Sequence, residues 1–141
     1  MLHVDPEALR AIRRHGEQDY PHECCGMLLG RFAPDGKRVL ELLPISNARE
    51  EAQKRNRFLI TAQEFQRGER QARERHLDVL GFYHSHPDHP AEPSGFDQEH
   101  AWPTYSYLIV AVQEGRAGAL TSWELEPDRS RFNPEPIHPG V

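Results

Sequence analysis

Residues 81–97 read "GFYHSHPDHPAEPSGFD", and this stretch decides what the rest of the chain can be. An apolar run ends in His84-Ser85-His86-Pro87 and is followed by a polar loop holding Asp88, His89 and Asp97. A strand sends alternate side chains to one face. His84 and His86 therefore point the same way and Ser85 the other, while Pro87 ends the pairing and turns the chain out. Asp97 falls in the first turn of a short helix that starts at Ser94, and a short loop can return that turn to the histidine face. Two imidazoles and one carboxylate on converging elements suit a catalytic zinc site, which keeps a fourth position for water. Each piece also has a plainer reading. Ser94-x-x-Asp97 is a helix-capping pattern in its own right. Asp88 and His89 are rival ligands, expected to sit too far along the turn to face back. His22 and His100 can approach the site but suit partly exposed or hydrogen-bonded positions.

Working outward, residues 77–85, "LDVLGFYHS", form the strand that carries the pair. Asp5 and Pro6 open a first helix, as cap and first helical residue, and Gly16 is its expected stop. "CCGMLLGRF" (24–32) and "RVLELLPIS" (38–46) read as strands joined by the turn "APDG". The charged stretch 47–57 has no steady period and is expected to be a mobile loop. "RFLIT" (57–61) is expected to be a short strand. Thr61 and Glu64 then form a capping box for a surface helix reaching about Arg75, with a thin apolar face of Ala62, Phe65 and Ala72. "YSYLIVAV" and "GALTSWEL" supply two further strands. Five or six strands and about three helices give an α/β domain around one sheet. It spans 1–126, and a proline-rich, charged tail, 127–141, is expected to be loosely ordered.

With 141 residues, the chain is long enough for one domain with its own core. Its net charge of −5 gives no broad electrostatic reason to bind nucleic acid or an acidic membrane. No apolar run approaches the ~20 residues of a membrane span. The start, "MLHVDPEALRAIRRHGEQ", lacks a secretory signal's basic and apolar regions. Adjacent Cys24 and Cys25 read as two reduced thiols, which places the chain in a reducing cytoplasm.

Taken together, "HSHP", the six residues "DHPAEP" and "SGFD" resemble the JAMM/MPN+ zinc metalloprotease signature, and "PHECCGMLLG" resembles that family's first strand. The resemblance runs in order over roughly residues 1–126 and is strongest to the compact prokaryotic branch. It implies a single MPN-like (cytidine-deaminase-like) domain with one mixed, strongly curved sheet. It implies that His84, His86 and Asp97 hold one Zn2+ per chain. Glu23 would be the general base and then the proton donor, and Ser94 would hydrogen-bond the developing oxyanion. The reaction implied is hydrolysis of the amide after a C-terminal Gly-Gly, with a small β-grasp ubiquitin-like or sulfur-carrier protein as substrate. Homodimers occur among related domains. Two alternatives from other classes stand beside this: an MPN-type interaction module without chemistry, and a DNA-associated relative, for which no basic stripe is present.

Overall fold

A computed structural model describes residues 1–45 and 60–139 of the chain. The expected loop at 47–57 and most of the expected strand at 57–61 lie outside the described residues; Ile60 and Thr61, which are described, are in no strand. Among the described residues there are eight strands and three helices. In chain order they are β1 (Leu2–Val4), α1 (Pro6–Asp19), β2 (Cys25–Ala33), β3 (Gly36–Ile45), α2 (Ala62–Glu74) and β4 (Asp78–Pro87). Then come α3 (Gly95–His100), β5 (Ser106–Gln113), β6 (Arg116–Leu125), β7 (Phe132–Glu135) and β8 (Ile137–His138).

All eight strands join one mixed sheet in the order β7-β6-β5-β4-β2-β3-β1-β8. β4 lies inside it, antiparallel to β2 and parallel to β5. The two outermost strands, β7 and β8, are separated in sequence by Pro136 alone. One residue spans only a few ångströms, so the sheet must curl until its edges nearly meet. A second observation fixes which face is concave. β3 and β5 stand three positions apart, about 14 Å across a flat sheet. Yet Lys37 of β3 donates from Nζ to Ser106 Oγ at the start of β5 (2.7 Å), to the Thr104 carbonyl (2.8 Å) and to Glu124 Oε2 of β6 (3.2 Å). Leu28, Val39, Leu80, Tyr83, Leu108 and Val110 fill that concave side with Ile12 of α1. Met27, Phe82, Tyr107 and Leu125 line the other face, which α2 covers through Phe65 and Ala72. Fully burying a side chain of this size contributes about 1.5–3 kcal/mol.

The described part of the tail, to residue 139, is therefore not loose. β7 pairs with β6 and β8 with β1, and the Leu2 N–H donates to the Pro136 carbonyl at 2.9 Å. Apolar burial drives this, with Phe132 packed on one core cluster and Ile137 on the other, and the enclosed Glu135 is compensated by accepting from Ser122 Oγ at 2.7 Å. Local cues placed the helix starts well. Asp5 Oδ1 accepts from the Ala8 N–H (2.8 Å) and Thr61 Oγ1 from the Glu64 N–H (3.1 Å). Gly16, however, does not stop α1, which runs on to Asp19. It lets the helix lie against β5, where a Cβ would stand 3.0 Å from Val112 Cγ2. Gly36 closes the β2–β3 turn at φ +144°, a conformation other residues rarely adopt.

Candidate metal centre

β4 presents Phe82, His84 and His86 on one face and Tyr83 and Ser85 on the other. Because β4 has neighbours on both sides, His84 is fully buried beside Cys25 and Ile109. Ser85 Oγ accepts from the Cys24 N–H at 2.8 Å, which locks the start of β2 to the end of β4. Burial pushes the Cys24 thiol up to about 12 and raises that of Cys25 as well, so both stay protonated at neutral pH. Both cysteines are free.

After Pro87 the chain turns away at Asp88 (φ 57°). The Asp88 carboxylate is engaged there, accepting from Tyr20 Oη–H at 2.7 Å and the Glu114 N–H at 2.9 Å, and His89 is exposed. Neither rival ligand faces the histidines. The loop returns at Ser94, where α3 begins with a reciprocal capping box: Ser94 Oγ accepts from the Asp97 N–H (3.1 Å) and Asp97 Oδ2 from the Ser94 N–H (2.9 Å). The same carboxylate faces both imidazoles. Asp97 Oδ2 is 3.1 Å from His86 Nε2, Asp97 Oδ1 is 3.3 Å from His84 Nε2, and the two Nε2 atoms are 3.2 Å apart.

These spacings carry chemical information. Ligand atoms about 2.0–2.1 Å from a tetrahedral ion stand about 3.3 Å from one another. The two ring nitrogens, and each ring nitrogen with the Asp97 oxygen turned to it, are spaced as ligands of a shared ion would be, and two imidazoles with one carboxylate form a zinc-type donor set. Orientation is fixed from behind, since His86 Nδ1–H donates to the Pro90 carbonyl at 2.8 Å and leaves Nε2 as the nitrogen facing His84 and Asp97. Sequence offered no signal for Pro90, because a backbone carbonyl carries no residue-type preference. Burial lowers the His84 pKa more than Asp97 raises it, favouring the neutral ring. Burial would raise the Asp97 carboxyl, but His84 and His86, when they carry protons on the nitrogens facing it, and the Ser94 N–H hold it well below the usual carboxylate range; with unprotonated ring nitrogens the Ser94 N–H remains its donor. It remains an anion.

Glu23 precedes β2 and is 3 % exposed. A carboxylate oxygen of Glu23 lies with ring nitrogens of His84 and His86 in a group whose members are all within 4.8 Å of one another. Ser94 is exposed at the mouth of the site, and with its oxygen accepting from Asp97 its O–H proton remains available to donate. His100 is exposed, stacked on Phe96 at 4.0 Å, and donates from Nδ1 to the Phe96 carbonyl (3.0 Å). The backbone N–H of His22 donates to the Asp19 carbonyl at 2.7 Å. Neither belongs to the donor group.

Comparison with known proteins agrees with this geometry. The family model described as prokaryotic homologs of the JAB domain matches residues 5–126. A protein of Haloferax volcanii named desampylase is 34 % identical over 135 residues, covering 92 % of this chain and 91 % of its own length. A solution structure from Salinibacter ruber is 46 % identical, with a TM-score of 0.76 over 97 % of this chain and 90 % of that one. A JAB1/MPN domain protein from Archaeoglobus fulgidus shares the fold at 15 % identity, with a TM-score of 0.57 over 98 % of this chain and 97 % of that one. A curled sheet with a His-x-His strand at its centre and this pattern of relatives lead to one conclusion: the chain belongs to the family of prokaryotic JAB-domain proteins.

Proposed function

We propose that this protein is a zinc-dependent isopeptidase that hydrolyses the amide after the C-terminal Gly-Gly of a small β-grasp ubiquitin-like or sulfur-carrier protein. The observation that carries this reading is the 3.1–3.3 Å spacing of His84 Nε2, His86 Nε2 and the Asp97 carboxylate beside a buried Glu23. These three residues would hold Zn2+. Bound there, the ion supplies Lewis acidity, which lowers the pKa of water from ~15.7 towards ~7.

The chain's own residues do the rest. Glu23 takes the proton from the attacking water and returns it to the departing amine, a task that needs a carboxylate close to the site but not bound in it. Ser94 donates its O–H to the carbonyl oxygen as that oxygen gains charge, which stabilises the transition state more than the substrate. The Pro90 carbonyl holds the ring of His86 in place throughout. A relative named desampylase supports removal of a small ubiquitin-like modifier. The two buried thiols support a reducing, cytoplasmic setting, and no helix among the described residues is long and apolar enough to cross a membrane.

The competing reading is an MPN-type module that binds a partner without chemistry. Two measurements separate them. Purified without added metal, the enzyme carries one tightly held zinc per chain. Incubated with carriers joined through Gly-Gly to a lysine side chain or to an α-amino group, it cuts after the second glycine, loses activity to a chelator and regains it with zinc. A chain that leaves the whole panel intact, or that holds no zinc, is the scaffold.

A further inference from the structure

The serine between the two histidines takes no part in the donor set. Ser85 faces the other side of β4, is fully buried, and lies against α1, where a Cβ at Gly16 would stand 3.4 Å from Ser85 Cβ. It holds both backbone groups of one residue. The Ser85 N–H donates to the Cys24 carbonyl at 3.2 Å, and Ser85 Oγ accepts from the Cys24 N–H at 2.8 Å. In a regular antiparallel pair the Cys24 N–H would meet a backbone carbonyl. A side chain replaces that carbonyl just where the β2–β4 ladder ends, at Cys25 and His84.

Glu23 is the next residue towards the N-terminus. Its neighbours are pinned on both sides: Cys24 by Ser85, and His22 through its N–H to the Asp19 carbonyl at 2.7 Å. Cys24 packs in the concave core and Cys25 in the cluster on the opposite face, so alternation turns Glu23 to the side of Cys25 and the histidines. Holding Cys24 in that register sets the Glu23 carboxylate against His84 and His86.

We propose that Ser85 is a positioning residue for Glu23: by fixing Cys24, its hydroxyl places the proton carrier at its working distance. This rests on the isopeptidase reading above, in which Glu23 moves a proton. A general base works only within hydrogen-bond reach of the proton it takes, about 2.6–3.2 Å. A misplacement of about 1 Å costs about 10²-fold in rate. Cys24 and Ser85 are both fully buried. In Ser85→Val a methyl group fills the hydroxyl's place, and the buried Cys24 N–H is left without its acceptor.

The test uses the zinc-loaded full chain, a ubiquitin-like carrier joined through Gly-Gly to a lysine side chain, and the pair Ser85→Thr and Ser85→Val. The two new side chains share one shape and differ in the hydroxyl alone. Ser85→Val lowers kcat about 10–100-fold, with KM and zinc content at the parent values, and speeds amide hydrogen exchange at Cys24. Ser85→Thr keeps the acceptor and recovers most of the rate and of the protection. A double-mutant cycle identifies the group through which the hydroxyl acts. In a Glu23→Gln background, followed by single turnover, the Thr-to-Val difference shrinks to about twofold or less, because no proton carrier is left to misplace. Where the added methyl group prevents folding, the parent and Ser85→Ala carry the same comparison. Equal kcat with and without the hydroxyl overturns the proposal and leaves the isopeptidase reading standing. So does a difference that persists undiminished beside Glu23→Gln, or one that comes with loss of zinc, since the serine then acts through the fold or the histidines. A parent chain that cleaves no carrier overturns the isopeptidase reading and this one with it.

Discussion

The two ends of the curled sheet are built by different means. At one end, the tip of β4 and the start of α3 hold a charged centre through short, local devices: alternation along a strand, a proline stop and a capping box. At the other, Lys37, Ser106, Ser122 and Glu135 join strands from the beginning, middle and end of the chain. At the first end His84, His86, Ser94 and Asp97 fall within fourteen residues, and only Glu23 is brought in from a distant stretch. The second exists only once the whole sheet has closed. The difference separates function from stability. Changes at the metal end should alter chemistry with little change in folding, and changes at the seam should do the reverse.

The largest effect is expected from Asp97→Ala. It removes the proposed ligand and the third residue of the α3 capping box together. Zinc content measured by elemental analysis should fall to background, and activity should drop by more than the ~10–100-fold that loss of an outer-shell partner costs. Ser94 comes next. Ser94→Ala and Ser94→Gly both remove the hydroxyl, but glycine caps a helix almost as well as serine. Each should lower kcat about 10²-fold while zinc stays bound. A loss seen with alanine and not with glycine would mean that Ser94 acts only as a cap. The smallest effect on catalysis is expected at the seam. Lys37→Met takes the donor from the Thr104 carbonyl and from Ser106 Oγ. It should cost about 1–3 kcal/mol of stability by denaturant unfolding with zinc content intact. Loss of metal in Lys37→Met would show that the two ends are coupled.

The same division explains what could be read from residues alone. The central strand, the two long helices and their caps follow from periodicity and capping chemistry that act within one turn or one strand. His84, His86 and Asp97 were visible because their spacing is a local matter. Set against each other in sequence, the capping box and the proposed ligand are one arrangement in space: accepting the Ser94 N–H aims the Asp97 carboxylate at His86. β1, β7 and β8 have three, four and two residues, too short for any period to appear. Their pairing comes from burial against distant strands, which is why the tail after Glu126 looked loose. Gly16 misled for a related reason, since a glycine that permits close packing reads in sequence like one that ends a helix.

The most direct test of the central claim is Glu23→Gln. The change keeps the shape of the side chain and removes its capacity to carry a proton. A carboxylate oxygen of Glu23 lies within 4.8 Å of ring nitrogens of His84 and His86; as proton carrier rather than ligand it can change without loss of the ion, so the variant should retain one zinc per chain and bind a Gly-Gly carrier. Its turnover should fall by about 10²–10⁴-fold. Cleavage by Glu23→Gln at the parent rate would contradict the account, because the proton would then be moved by some other group.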